Sequence, residues 1–329
     1  MSWALSITIF LTIVLAALPH LVWVVALLVG RLCNLHISYA PFGWSAVILI
    51  VTAWVLLAYG YFVGRWQFVV KEVEYTNNDI PSNFDGYRIV HISDLHLMTF
   101  DDNPAKLTEV VEKINALDAD LVCFTGDLVN LSADELKPYI ADLAAIKARD
   151  GVVSVLGNHD FMLYGFFNRG EQERKEAVAR LVNMQRYLLG WQVLRNEHTE
   201  IWRGEQKMTI VGVDNKSCTG QGFHTIARGD LTKAMEGSNG FRILLSHDPS
   251  HWATEVLSDT DIPLTLSGHT HAAQLRLFGW TPASWVFRYT AGRYDEGAQT
   301  LHINIGLGCT APFRLGANPE ISLITLRHQ

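Results

Sequence analysis

Apolar and polar positions divide the chain into two regimes. No side chain is formally charged over residues 2–29, and none over residues 42–63. Each run exceeds the roughly 20 apolar residues that cross a hydrocarbon core. The pattern predicts two transmembrane helices joined by a turn over residues 30–41, with a kink where Pro19 and His20 interrupt the first. Trp44 and Trp54 in the second run, with Tyr59, Tyr61 and Trp66 near its end, suit a membrane interface. A cleaved leader fits less well, because the first run lacks a basic n-region and is too long for an h-region. A buried hairpin of a soluble protein is the other alternative. We therefore divide the chain into a membrane hairpin at 1–66 and a second domain at 67–329.

Beyond Trp66 short apolar runs alternate with amphipathic stretches. Residues 87–92 (YRIVHI), 121–125 (LVCFT) and 152–156 read as strands. Asn103-Pro104 opens a helix with Leu107, Val110, Val111, Ile114 and Leu117 on one face. Leu136, Tyr139, Ile140, Leu143 and Ile146 mark a second helix, closed before Gly151. A third, charged and amphipathic, spans about 171–189. Short strands follow at 192–194, 208–213, 241–245, 263–266, 301–305 and 321–326. Strand–helix alternation followed by a strand-rich half predicts an α/β protein with mixed sheets.

Charge sharpens this picture. The formal net charge is −7, and residues 1–64 hold a single charged side chain, Arg31. The remainder is acidic, with no long Lys/Arg cluster. That argues against a nucleic-acid partner, which would need phosphate neutralisation. Arg65, Lys71 and Arg88 after the second run outweigh Arg31 in the turn, which places the second domain on the cytoplasmic side. The four cysteines show no CxxC or framework spacing, compatible with a reducing compartment.

The chemistry lies at the strand ends. After YRIVHI comes Ser93-Asp94-Leu95-His96, and after LVCFT comes Gly126-Asp127. After VVSVL comes Gly157-Asn158-His159-Asp160, after FRILL Ser246-His247-Asp248, and after PLTL Ser267-Gly268-His269-Thr270-His271. Each strand delivers Asp, Asn or His to one sheet edge, where α/β proteins bind ligands. One such end is an ordinary turn former; five in order are a site. Imidazole, carboxylate and amide donors without thiolate suit manganese, iron or zinc. Seven donors are too many for one ion, so a pair is expected. Asp127, isolated in sequence, is the best bridge between two mutually repelling dications.

The ordered set DLH, GD, GNHD, SH and GHTH resembles the calcineurin-like metallophosphoesterase superfamily, over about residues 87–308. The paired apolar runs, Ala272-Ala273-Gln274 after GHTH, Gly306-Leu307-Gly308 and Pro319-Glu320-Ile321 resemble its bacterial membrane-anchored branch, some of whose members cleave the pyrophosphate of UDP-2,3-diacylglucosamine. The resemblance implies two mixed β-sheets packed as a sandwich and flanked by helices. It implies a multi-pass protein of the bacterial inner membrane that hydrolyses a phosphodiester or pyrophosphate, with water activated by two metal ions, Mn2+ first and Fe or Zn as alternatives. By resemblance, Asp94, His96 and His271 hold one ion, Asn158, His247 and His269 the other, and Asp127 bridges. His159 is then the catalytic proton donor or phosphate clamp, oriented by Asp160 or another carboxylate. Two positions depart from the pattern: alanines stand after GHTH where glycines are usual, and Asn304-Ile305 precedes the late GxG where a polar or basic residue is common.

Other residues carry less. Asp214, at a further strand end, either contacts substrate or turns the chain, and Arg314 either grips a phosphate or forms a surface ion pair. His91 reads as a core group and His20 as a helix-packing one. His198, His224, His251 and His302 receive no role, and Asn130-Leu131-Ser132 matches a glycosylation pattern by chance. Residues 161–167 (FMLYGFF) and the aromatic residues Phe278, Trp280, Trp285 and Phe287 lie beside the motifs, either as packing or as an apolar rim for an acyl chain or a bilayer. The expected partners are thus a lipid bilayer and a phosphorylated or nucleotide-linked lipid. A phosphohydrolase of soluble substrates, a metal-dependent nuclease and a non-catalytic membrane scaffold are the rival functions.

Overall fold

The structure is a computed structural model that describes residues 2–164, 170–221 and 226–329. His224, Phe166 and Phe167 lie outside the described residues. The chain forms two compact units, Met1–Val63 and Gly64–Gln329.

In the first unit, α1 (Ser2–Leu32) and α2 (Ala40–Phe62) are long and apolar enough to cross a membrane, with mean hydropathies of 2.4 and 2.3 over their most apolar stretches. A core helix of a soluble protein buries its apolar side chains. Here Phe10, Leu28, Val55 and Phe62 point outwards and are exposed. Polar side chains bridge the hairpin: Trp54 Nε1 donates to Thr12 Oγ1 at 3.0 Å, and the hydroxyl of Tyr39, just before α2, meets His20 Nε2 at 2.9 Å. The helix runs on through Pro19, the position of the expected kink.

Among the described residues the second unit holds twelve strands: β1 (Val69–Thr76), β2 (Arg88–Ile92), β3 (Leu121–Phe124), β4 (Val152–Ser154), β5 (Gln192–Val193), β6 (Glu197–Arg203), β7 (Gln206–Gly212), β8 (Phe241–Leu245), β9 (Leu264–Ser267), β10 (Gly292–Glu296), β11 (Gln299–Ile303) and β12 (Glu320–Arg327). They form two six-stranded mixed sheets, in the orders β1-β12-β2-β3-β4-β5 and β10-β11-β9-β8-β7-β6. Ile89, Val153, Ile243, Leu266 and Ile324 fill the space between the sheets. The outer face of the first sheet is covered by α3 (Ala105–Ala116), α4 (Ile140–Ala144) and α5 (Glu171–Met184), whose apolar faces join Val90, Ile92 and Val122 in a second core. Strands buried on both faces read as continuous apolar runs, which is how β2, β3 and β8 look in the sequence.

Three strands escape the sequence pattern. In β1, β6 and β10 half-buried and exposed positions predominate, and their charged side chains hide the period of two. All three lie at sheet edges. The expected second helix is split: Pro138 lacks the N–H that an α-helix would use, and residues Ala133–Tyr139 take a 3-10 course before α4.

Candidate metal centre

Parallel pairing decides where the motifs go. β2, β3 and β4 are parallel neighbours in the first sheet, and β8 and β9 in the second. Their carboxyl ends deliver Asp94 and His96, Asp127, Asn158 and His159, His247, and His269 and His271. The loops there are tightly wound. Asp94, His96, Asp127, His269 and His271 all have left-handed backbones, with φ of 51°, 42°, 58°, 74° and 48°. Such conformations cost non-glycine residues about 1–3 kcal/mol each and persist only where the surroundings fix them. Here they are fixed by Asp94 N–H donating to Gly126 O (2.8 Å), His96 N–H to Asp127 O (3.1 Å) and His269 N–H to Asp94 Oδ2 (2.9 Å). The glycines serve close approach. A Cβ on Gly157 would collide with the Asp127 carboxylate, and one on Gly268 with Ser93 and Asp94. The sequence suggested a tight turn at Gly157; its φ is not positive, and proximity to Asp127 is the stronger constraint.

The seven donor side chains meet. His271 Nε2 lies 3.1 Å from His96 Nε2 and 3.2 Å from Asp94 Oδ1. His247 Nε2 lies 3.1 Å from both Asn158 Oδ1 and His269 Nδ1. Asp127 Oδ2 reaches both groups, 3.6 Å from His96 Nε2 and 3.2 Å from His247 Nε2. Asp94, His96 and His271 form one compact donor set, and Asp127, His247 and His269 another. Asp94 Oδ1 is fully buried and has no hydrogen-bond donor among the described residues. Lone pairs crowding lone pairs in a buried site is costly unless a cation joins them. This donor set therefore fits two divalent ions.

Electrostatics agree. Burial alone would raise the Asp94 carboxyl, but the imidazoles of His271, His247 and His96 overcome it and hold the group well below the usual carboxylate range. Burial disfavours a charged His247, yet the carboxylates of Asp127 and Asp94 push it up to about 10. The field at this point favours positive charge. Burial and the neighbouring imidazoles push His96 and His269 the other way, towards the neutral form that ligates.

Outer partners aim the donor side chains. His247 Nδ1 donates to the Thr125 carbonyl at 2.7 Å, which leaves its Nε2 lone pair to the centre. His269 Nε2 donates to Gln221 Oε1 at 2.8 Å, and Gln221 Nε2 donates to Asp248 Oδ2 at 2.6 Å. Asn158 Nδ2 donates to the Tyr164 hydroxyl at 2.9 Å, which turns the amide oxygen inwards. Gln221, Asp248 and Tyr164 carry no motif signal. Their partners lie in other loops, and only the nearness of Tyr164 to GNHD hinted at a role.

Several expectations need correction. His159 is oriented by the Asn130 carbonyl, which accepts from Nδ1 at 2.7 Å, and not by a carboxylate. Asp160 instead accepts from the backbone N–H groups of Asp127, Leu128, Val129 and Gly157 at 2.8–3.3 Å and so ties the loops after β3 and β4 together. Burial and the Asp127 charge still push its carboxyl up to about 7. In the Asn130–Ser132 triplet Ser132 is the N-cap of the 3-10 segment, and Glu135 accepts from the N–H groups of Asn130, Leu131 and Ser132, which holds the Asn130 carbonyl at His159. Asp214 is not brought to the centre; it forms a two-pronged pair with Arg195 at 3.0 and 2.8 Å. Arg314 is wholly buried, so a surface ion pair is ruled out. It donates to the carbonyls of Ile305, Gly306, Gly308 and Ala317 and lies 3.3 Å from His271 Nδ1, bracing the loop of His271 from behind. His91 and His302 are core groups, on Thr125 Oγ1 and Ser322 Oγ. His198 and His251 meet Ala234 O and Ser246 Oγ. Ala272 and Ala273 both have φ of 48°, a backbone that glycine adopts more readily.

Over the centre opens a cavity of about 500 Å³, floored by Asp127, Asn158 and His271 and walled by Phe287, Ala311 and Phe313.

The family model of calcineurin-like phosphoesterases matches residues 87–273. A transmembrane protein with a metallophosphoesterase domain from Danio rerio is 29% identical over 88% of this chain, which spans only 64% of that relative's length. The uncharacterised metallophosphoesterase YkuE of Bacillus subtilis strain 168 is 31% identical over 82% of this chain and 90% of its own. UDP-2,3-diacylglucosamine pyrophosphatase LpxG of Chlamydia trachomatis serovar D is 26% identical over 75% of this chain and 87% of its own. Among solved structures, a dimetal phosphatase from Danio rerio aligns over 69% of this chain and 90% of its own, with 14% identity and a TM-score of 0.41. With the family model matched over more than half of its length, this chain belongs to the calcineurin-like phosphoesterases, a family of metal-dependent phosphoester hydrolases.

Proposed function

We propose that the chain is a membrane-anchored phosphohydrolase that cleaves a phosphodiester or pyrophosphate bond of a lipid or nucleotide-linked lipid. One observation carries this reading: seven nitrogen and oxygen donors from five strand ends converge, with the Asp127 carboxylate in reach of both halves. Asp94, His96 and His271 would hold one ion, Asn158, His247 and His269 the other, and Asp127 would bridge, with manganese the ion best suited to this mixed donor set. When bound, such a pair supplies Lewis acidity, acidifying water and neutralising charge on phosphoryl oxygens.

The chain's own residues do the rest. His159, held at Nδ1 by Asn130 O, keeps Nε2 for a proton passed to the leaving oxygen. Asn158 contributes a neutral oxygen, so it adds no charge that would repel an incoming phosphate. The wall of Phe287, Ala311 and Phe313 excludes water and accepts hydrocarbon. The lipid reading draws support from this wall, from the two apolar helices, and from the substrate in the name of the chlamydial relative. Residues 1–66 would anchor residues 67–329 at the cytoplasmic face of a bacterial inner membrane, where substrates at the same surface gain effective concentration.

The test is turnover by the detergent-solubilised chain with manganese, across nucleotide-linked lipids, phospholipids and aryl phosphates. His159→Ala should lower kcat by about 100-fold or more, and Asp127→Ala or chelation should remove turnover. Undiminished turnover after metal removal would end the hydrolase reading. Equal kcat/KM for a lipid pyrophosphate and its soluble headgroup analogue would end the lipid one alone.

A further inference from the structure

Residues 275–288 give Phe287 to the cavity wall on one side and form an apolar promontory on the other. On the inner side Phe287 meets the His269 ring edge-on at 5.4 Å. Thr281 Oγ1 donates to Ala272 O at 2.5 Å and caps the short turn Pro282–Trp285, whose Ala283 is buried. The outer side is different. Leu277 and Trp280 exchange backbone hydrogen bonds of 2.9 and 3.0 Å, closing a two-residue turn with Phe278-Gly279 at its tip. Both tip residues have positive φ, 52° and 86°. This is the pattern of a type I′ turn, where Asn or Gly is favoured and a bulky side chain is strained. Phe278 is nevertheless fully exposed, at 108% of its reference area. No burial within the protein offsets the strain. Leu277, Trp280, Trp285 and Val286 are exposed beside it, with the two indoles edge to face at 5.5 Å. Arg276 and Arg288 flank the segment, which contains no acidic residue; Arg288 also pairs with Glu296 at 3.1 Å.

We propose that this promontory seats on an anionic bilayer, with Phe278, Trp280 and Trp285 between headgroups and acyl chains and the two arginines towards lipid phosphates. Tryptophan and phenylalanine beside arginine, exposed on a braced loop, match an interfacial anchor. The proposal rests on the membrane-anchored reading above. Chain continuity favours this partner, because the second unit begins at Gly64, directly after α2 ends at Phe62. A second copy of the chain fits less well. A two-fold contact is self-complementary, and the segment would bring two arginines and no acidic residue of its own to it. Seated in this way, the loop would open the cavity at headgroup level, so a lipid substrate could reach His159 without leaving the membrane.

The experiment uses the full chain in phosphatidylcholine nanodiscs with and without phosphatidylglycerol. An NBD fluorophore is attached through Phe278→Cys in a Cys33→Ser, Cys218→Ser background; the other two cysteines are buried. The expected result is a blue-shifted emission, quenched by doxyl-labelled lipid and stronger with phosphatidylglycerol. Water-like emission from protein that resists carbonate extraction would overturn the proposal alone, whereas extraction by carbonate would overturn the anchored reading and this proposal with it. A blue shift that follows protein concentration and ignores doxyl lipid would assign the face to a second copy and also overturn it. Phe278→Asn gives an independent readout, because it suits the turn. Thermal stability should hold or rise, while KM for a nucleotide-linked lipid rises about tenfold and kcat on an aryl phosphodiester stays unchanged. An unmoved KM would count against the proposal.

Discussion

Gln221 fixes the tautomer of His269. The carboxylate of Asp248 can only accept, so the Gln221 amide must turn its NH2 towards it and its oxygen towards His269. That oxygen in turn needs a donor, which puts the imidazole hydrogen on Nε2 and leaves the Nδ1 lone pair facing His247 Nε2, 3.1 Å away. If the loop at His269 serves as a metal ligand, Gln221→Leu should weaken manganese binding by about 10–100-fold. Metal retained after dialysis against a chelator series measures this. Retention at the parent level would mean that Gln221 merely fills space. No sequence pattern flags this residue, because its partners lie 27 and 48 positions away. Arg314 is a second such case. Its sequence context resembles a surface cation, and only the fold shows that it satisfies four carbonyls behind His271.

At the scale of elements, α1 and α2 carry the next test. An even number of crossings returns the chain to its starting side and leaves the connecting turn on the other. Cys33 lies in that turn and Cys218 in the second unit, and both thiols are exposed. On the reading proposed above, the excess of Arg65, Lys71 and Arg88 over Arg31 would put the second unit inside. In intact spheroplasts an impermeant maleimide should label Cys33, and Cys218 only after permeabilisation. The reverse pattern would invert the sidedness, and equal labelling from outside would sink the two-crossing hairpin. These helices were legible because hydrophobic length is a property of composition. The central strands were legible because burial on both faces makes them continuous apolar runs, and each ends in a residue that strands avoid. The edge strands β1, β6 and β10 were not, since half-exposed positions accept charges such as Lys71, Glu197 and Asp295. The left-handed loops after β2 and β9 were illegible for another reason: Asp and His there adopt backbones that only the surrounding loops impose.

In the whole molecule the two sheets meet along a layer that is apolar except near the centre, where His91 of β2 and His302 of β11 lie 5.6 Å apart. Both rings are buried, and each holds one hydroxyl, Thr125 Oγ1 or Ser322 Oγ, at 3.0 Å. Burial pushes His302 down to about 4. The Glu320 carboxylate opposes this, Lys71 and Arg293 reinforce it, and Lys71 is itself paired with Glu320. Burial and His302 likewise press His91 well below the ordinary imidazole value. The folded chain therefore keeps His302 neutral where the unfolded chain takes up a proton at about 6.5. Above pH 6.5 neither state binds the proton and nothing is lost. As pH falls from 6.5 to about 4 the unfolded state binds more protons, and stability drops by about 1.4 kcal/mol per unit for this histidine, roughly 3 kcal/mol in all. Below about 4 the loss levels off. Urea unfolding of the metal-free chain between pH 7 and pH 4, followed by tryptophan fluorescence, should show this slope on top of that from the histidines of the candidate centre. His302→Gln, which keeps a donor for Ser322, should remove about one proton's worth of it. If parent and variant lose stability in parallel, His302 is protonated in the folded state and the inter-sheet layer tolerates its charge.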